Sequence, residues 1–176
     1  MINKINNRRT KMFNTKTLTV AFSLLASASF ANVNITGTVQ SKCSVHTETQ
    51  GVYGNPTADK LSTASADGGV VPRIRYDVSL ADSYIAKISY PTSFSSSPTL
   101  NDVVNWTGTI AVDEVTDPLM SAYETNKVVY DSTTEYDMTI AGSTWFTIES
   151  TAEYGYNQAL PGGNYTAIVE AECIAK

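Results

Sequence analysis

Alternation of apolar and polar residues runs through much of this 176-residue chain and is clearest over residues 32–45. The odd positions of that stretch are Val33, Ile35, Gly37, Val39, Ser41, Cys43 and Val45. Almost all of its even positions are polar. Because successive side chains of a β-strand point to opposite faces, the pattern predicts one long strand with an apolar and a polar face. This strand is either the ordinary first strand of a β-sandwich, or its first half is an arm that completes a neighbouring subunit.

Further alternating runs predict that strands make up most of the remaining chain. A turn signal at residues 81–83 separates two such runs, which consist of Ile74, Tyr76, Val78 and Leu80 and of Tyr84, Ala86, Ile88 and Tyr90. Two runs joined in this way predict a β-hairpin. Other apolar or alternating runs cover residues 104–112, 128–130, 136–140, 145–148 and 164–175.

Together these runs predict an all-β fold. About seven short strands, separated by Ser, Thr, Asp and Gly turns, fall within residues 32–176, and no helical pattern exceeds two turns. Such an arrangement is typical of a single β-sandwich domain. The stretches between the runs, residues 50–69, 93–102 and 113–126, are expected to be loops.

The first 31 residues have the composition of a signal peptide. Five basic residues and no acidic ones precede an apolar run over residues 18–28, and Ser29 and Ala31 supply the small residues of a cleavage site. Met12 is an alternative start that would give a more compact leader. The apolar run is shorter than a membrane-spanning helix requires, so a membrane anchor is the less favoured interpretation. We therefore expect residues 1–31 to be removed and the mature chain to begin at Asn32.

Charge and cysteine content are those of an exported protein. Residues 1–31 hold five of the 12 basic residues and none of the 17 acidic ones, so residues 32–176 carry a formal net charge of −10. This balance argues against nucleic acid as a partner, because phosphate binding needs a basic surface. Two cysteines, Cys43 and Cys173, in an exported chain predict one disulfide, within one chain or, as the minority alternative, between two chains.

The chain carries no pattern that predicts catalysis. Its one histidine, His46, and two cysteines do not make a transition-metal site, and neither a glycine-rich phosphate loop nor a nucleophile elbow is present. Glu170 and Glu172 fall on the polar face of a predicted strand, where charges serve solubility. We therefore expect neither an enzyme nor a cofactor. The ten tyrosines and two tryptophans leave a sugar-binding module as an alternative, because aromatic rings stack on sugars.

The two ends of the chain resemble a bacterial chaperone–usher fimbrial subunit, or pilin. The N-terminal sequence NVNITGTVQSKCSV resembles the pilin pattern of alternating apolar residues, a glycine, and a cysteine at the base of the first strand. The C-terminal sequence PGGNYTAIVEAECIAK resembles the last pilin strand, and Gly163 is fourteenth from the end, where many pilins carry a glycine. The middle of the chain contributes only a compatible strand pattern.

This resemblance implies an incomplete immunoglobulin-like β-sandwich that lacks its final strand. A periplasmic chaperone would fill the resulting groove first, and the N-terminal arm of the next subunit would then replace it by strand addition. Residues 1–31 would be the signal peptide, residues 32–42 the donor arm and residues 43–176 the sandwich domain. The implied partners are other fimbrial subunits, the chaperone, an outer-membrane usher and host glycans. The implied product is a cell-surface fimbrium that supports adhesion, reached through the periplasm.

The resemblance also assigns roles to individual residues. The donor side chains would be Val33, Ile35, Gly37 and Val39, with Gly37 at the small position where the donor approaches closely. The edge of the acceptor groove would be formed by Tyr165, Ala167, Val169 and Ala171. In the competing interpretation, the chain is a non-polymeric carbohydrate-binding sandwich, and residues 33–39 fold into their own domain as an edge strand.

Two features depart from the pilin pattern. Ala175 stands where the family usually has a penultimate tyrosine. The common pilin disulfide joins the first strand to the second, whereas here the partner of Cys43 would be Cys173 on the last strand. In an incomplete sandwich the first and last strands flank the groove and run antiparallel, so the start of one lies near the end of the other. A bond between Cys43 and Cys173 is therefore geometrically plausible.

Overall fold

The structure, a computed structural model, describes residues 35–38, 42–155 and 158–176. The chain divides into two units, Met1–Thr38 and Val39–Lys176. In the first unit, the described residues 35–38 have no regular secondary structure. In the second unit, the described residues form β1 (Cys43–Thr49), β2 (Gly54–Thr57), β3 (Lys60–Ser62), β4 (Arg73–Val78), β5 (Tyr84–Ser89), β6 (Phe94–Ser96), β7 (Val104–Val115), α1 (Ala122–Asn126), β8 (Val128–Tyr130), β9 (Thr133–Met138), β10 (Gly142–Tyr154), β11 (Thr166–Ala167) and β12 (Glu170–Ala175).

The strands of Val39–Lys176 form a β-sandwich-like fold. The first sheet has the order β1-β4-β10-β3-β2, and β7 pairs along the opposite edge of β10. The second sheet has the order β12-β5-β9-β8, and β11 pairs with β6 in a small two-stranded ladder. All of these pairings are antiparallel. The predicted all-β fold class is therefore confirmed.

Tyrosines join the two sheets across the core. Tyr76 on β4 is fully buried, and its hydroxyl donates to the carbonyl of Glu172 on β12 at 3.0 Å. Tyr136 on β9 is also fully buried, and its hydroxyl donates to the carbonyl of Ile110 on β7 at 3.0 Å. Its ring lies 4.5 Å from that of Phe146 on β10. Burial raises the pKa of both tyrosines, which stay neutral donors at physiological pH.

The predicted hairpin over residues 74–90 is wrong. β4 belongs to the first sheet and β5 to the second, so residues 79–83 cross from one sheet to the other. The inward rows were predicted correctly for Tyr76 and Ile88, which are fully buried, but Leu80 is 53% exposed because it lies in the crossover. A period of two identifies the buried face of each strand and carries no information about its pairing partner.

The prediction of one long strand over residues 32–45 is also wrong within the described part. Residues 35–38 are not a strand, and β1 begins at Cys43 and continues to Thr49. The polar end of β1 is held by β4, where Glu48 forms an ion pair with Arg75 at 2.6 Å. Strand pairing uses backbone groups, so β1 extends beyond the apolar positions from which its bounds were predicted.

The last predicted strand, residues 164–175, is interrupted. β11 pairs with β6 and β12 pairs with β5, and Ile168 lies between the two ladders with 61% of its surface exposed. Gly163 precedes this segment with a φ of 153°, and a Cβ there would lie 2.5 Å from Pro98. A glycine is therefore required where the chain enters the last strand.

The predicted loops contain short elements that lack a periodic signal. Residues 50–69 include β2, β3 and a 3-10 helix, Ser65–Asp67, and residues 93–102 include β6. Residues 113–126 include the end of β7, a second 3-10 helix, Pro118–Ser121, and α1. Within the described ranges no helix is long and apolar enough to cross a membrane.

Candidate functional site

An open groove separates the first strand of the folded unit from the last. Its volume is about 640 Å³. One side is formed by Val45, Thr47 and Thr49 of β1, and the other by Thr166, Ala167, Ile168, Val169 and Ala171. β1 ends the first sheet and β12 ends the second, so two edge strands face each other across the open groove.

The backbone of β1 presents hydrogen-bonding groups to the open groove. Ser79 donates its backbone N–H to the Lys42 carbonyl at 2.8 Å. This bond shows which residues of β1 direct their backbone groups toward β4. Antiparallel strands bond at every second residue, so the even residues of β1 face β4 and the backbone groups of Val45 and Thr47 face away from it. Among the described residues no strand pairs with this edge.

The same alternation exposes the edge of β12. Lys176 donates its backbone N–H to the Ser83 carbonyl at 3.0 Å, so the even residues of β12 face β5. The backbone groups of Ala171 therefore point toward the open groove. In the described part of the chain β12 has β5 as its one strand partner. Two edges that no described strand pairs with, one on each side of the groove, offer hydrogen bonds to both sides of an added strand.

The open groove exposes part of the apolar core. Val45, Val169 and Ala171 are partly buried against the core cluster, and Ile74 of that cluster also lines the groove. None of the described lining residues is charged. The ion pairs of β4 lie on the opposite face of the sheet, where Arg73 contacts Asp113 at 2.6 Å. A segment that fills the groove therefore meets apolar and hydroxyl-bearing side chains.

A disulfide closes one end of the open groove. Cys43 at the start of β1 is bonded to Cys173 near the end of β12, and their Cα atoms are 6.3 Å apart. The predicted intrachain disulfide is therefore confirmed. The bond links residues 130 positions apart in sequence, so it closes nearly the whole folded unit into one loop.

The other end of the open groove is polar and aromatic. The hydroxyl groups of Tyr53 and Ser150 lie 3.1 Å apart, and Ser150 is 2% exposed. Burial raises the pKa of Tyr53, with an opposing effect from its hydrogen bond with Ser150. The ring of Tyr53 packs edge-on against Phe94, which also contacts Tyr165 at 5.0 Å. This cluster anchors the segment that leads into β11.

The structure brings three of the four predicted groove residues together. Ala167, Val169 and Ala171 line the open groove, whereas Tyr165 belongs to the aromatic cluster and donates its hydroxyl to the Pro161 carbonyl at 2.6 Å. Of the predicted donor residues, Val33 and Val39 lie outside the described residues. Ile35 is 96% exposed, and a Cβ at Gly37 would meet no atom within 4 Å.

Several groove residues were missed by the sequence analysis. Thr47 and Thr49 continue the odd-numbered row of Val45, so extending that row past its last apolar residue would have found them. Tyr53, Pro72 and Ser150 reach the groove from other elements. These three positions carried no periodic signal that connects them to β1.

No protein-family model matches the chain. A search of curated proteins also found no match.

Proposed function

We propose that this chain is a structural subunit of a surface fimbria and that it polymerises by donor-strand exchange. In this proposal the N-terminal arm, residues 32–42, of one subunit enters the open groove of another. The subunits pass through the periplasm with a chaperone and are assembled at an outer-membrane usher. The resulting fimbria supports cell adhesion.

The observation that carries the proposal is the open groove between two edges, β1 and β12, that no described strand pairs with. A strand placed there would gain backbone hydrogen bonds from β1 and β12 and would cover core side chains such as Val45 and Val169. Ordinary sandwiches pair or cover such edges, because exposed edges recruit other chains. A groove of this kind fits a function that uses strand addition.

The sequence of the arm fits the groove in chemistry. Val33, Ile35 and Val39 share one face of an extended segment, and Gly37 leaves room on the same face. The arm has no charged residue between positions 32 and 41, which matches the uncharged lining of the open groove. In an extended arm, the apolar side chains would therefore face the open groove and the polar ones would face solvent.

A peptide-rescue experiment tests the proposal. Deletion of residues 32–40 should remove the ability to donate a strand while the open groove still accepts one. Addition of the peptide NVNITGTVQ at 100 times its Kd should stabilise the deleted form by about 2.7 kcal/mol, which raises its melting temperature by roughly 10 °C. A control peptide in which Val33, Ile35 and Val39 are all replaced by threonine keeps the strand propensity, and we expect no comparable shift.

Two neighbouring tryptophan substitutions locate the binding surface. Ala171→Trp fills the open groove and should abolish the response to the peptide, whereas Glu172→Trp points to the exposed face and should preserve it. A deleted form that is monomeric, fully stable and indifferent to the peptide would rule out the fimbrial proposal. The alternative of a self-contained carbohydrate-binding module would then be the better account.

A further inference from the structure

We infer that the Cys43–Cys173 disulfide is a fixed end-stop of the open groove, at which the pairing of an inserted strand with β1 and β12 ends. This inference rests on the proposed function, since it concerns the same groove. It adds the direction from which the partner enters and the length of partner that the groove holds.

The distance across the disulfide leaves no space for a strand. Neighbouring strands in a sheet lie about 4.8 Å apart, so two strands that flank an inserted one must be about 9.6 Å apart. The Cα atoms of Cys43 and Cys173 are only 6.3 Å apart. An added strand therefore cannot pass between the two cysteines and is confined to the groove on one side of them.

The lining of the groove agrees with this limit. The groove residues of β1 run from Val45 to Thr49, and those of the last strand run from Ala171 back to Thr166, all on one side of the disulfide. Five residues of extended chain span about 17 Å at roughly 3.3 Å per residue. The groove therefore holds about five residues of a partner, of which three direct their side chains inward.

The end-stop also fixes the direction of the partner. The C-terminal end of the arm continues into a folded unit, because residues 43–49 are already β1 of that subunit. A folded unit is too large to enter the groove at the disulfide. The C-terminal end of the arm must therefore remain at the opposite end of the groove, near Thr49. The N-terminal end of the arm then lies against the disulfide, and the inserted strand runs in the same direction as β1.

Amide hydrogen exchange on an isotope-labelled peptide of residues 29–42 tests the end-stop. The peptide is added in excess to the full chain at a concentration too low for self-association. We expect about five consecutive peptide amides to be protected, with an abrupt boundary on the N-terminal side. In Cys43→Ala/Cys173→Ala we expect this boundary to move toward the N-terminus by two or more residues. The control is Ser44→Ala/Glu172→Gln, which alters adjacent exposed side chains and should leave the boundary in place.

A second measurement covers the case in which the cysteine variant does not fold. With the disulfide intact, peptides of residues 29–42 and 32–42 should show the same protected amides, because the additional residues lie beyond the stop. A protected run that grows with the longer peptide, or a boundary unchanged by removal of the disulfide, would overturn the inference. Peptides that gain no protection with any form of the protein would instead contradict the proposed function.

Discussion

Two edges of this sandwich differ in how their outward backbone groups are bonded. β7 is an edge strand of the first sheet, and side chains form hydrogen bonds with two of its outward backbone groups. The Ile110 carbonyl accepts from Lys127 Nζ at 2.9 Å and from the Tyr136 hydroxyl at 3.0 Å, and the Val112 N–H donates to Glu124 Oε2 at 2.9 Å. At the open groove, no strand among the described residues pairs with the outward edges of β1 and β12.

The difference shows that the open groove is not a general failure of the fold to protect its edges. The segment after β7 folds back as α1 and places Glu124 and Lys127 beside the strand. Among the described residues, β12 has no strand partner on its outward edge. One edge is thus protected locally by the chain itself, and the other leaves hydrogen-bonding groups that suit a strand from elsewhere.

The largest change in the free energy of unfolding should come from removing the disulfide at the open groove. Cys43→Ala/Cys173→Ala removes a cross-link between residues 130 positions apart, and chain-entropy arguments give a loss of about 5 kcal/mol in the free energy of unfolding. Urea unfolding under non-reducing conditions measures the change. The control Ser44→Ala/Glu172→Gln should stay within about 0.5 kcal/mol of the wild type per substitution. A loss under about 1 kcal/mol in the cysteine variant would contradict this expectation.

A smaller effect should follow from uncovering the β7 edge. Glu124→Ala leaves the Val112 N–H without its side-chain acceptor and should lower the free energy of unfolding by about 1 kcal/mol. Glu124→Gln keeps an oxygen acceptor at the same position and should cost less. Equilibrium unfolding of both variants gives the comparison. If alanine and glutamine variants are equally stable, the hydrogen bond to Val112 does not protect this edge.

The smallest effect concerns the ion pairs at the end of β12. Lys176 contacts Asp137 and lies 2.6 Å from Asp82, and these carboxylates raise the pKa of its ammonium group. A raised pKa in the folded state means that the stabilisation is complete below the unfolded pKa, about 10.4, and is lost as pH rises through the folded value. Lys176→Met should therefore be slightly less stable than the wild type at pH 7.

The pH dependence of that difference provides the check. Melting temperatures of wild type and Lys176→Met should differ at pH 7 and converge above pH about 10.4. The control Lys87→Met removes a looser contact, 3.9 Å from Glu172, and should show a smaller difference at pH 7. A gap between wild type and Lys176→Met that widens at alkaline pH would show that the ion pairs are not its cause.

The sequence by itself determined the all-β class and the buried faces of several strands. Alternation identified Tyr76, Ile88 and Tyr136 as inward residues, and all three are fully buried. The cysteine count predicted the bond between Cys43 and Cys173. The odd row of the last strand likewise placed Ala167, Val169 and Ala171 on one face, because the period of two is a local property of an extended chain.

Only the tertiary structure decided which edges pair and which remain open. The crossover between β4 and β5, the switch of the last strand at Ile168 and the covering of β7 by Glu124 all depend on contacts between distant segments. The physical reason is that every non-proline residue carries the same backbone donor and acceptor. A pattern of side chains therefore determines which face of a strand is buried, while the choice of its neighbours depends on how the whole chain packs.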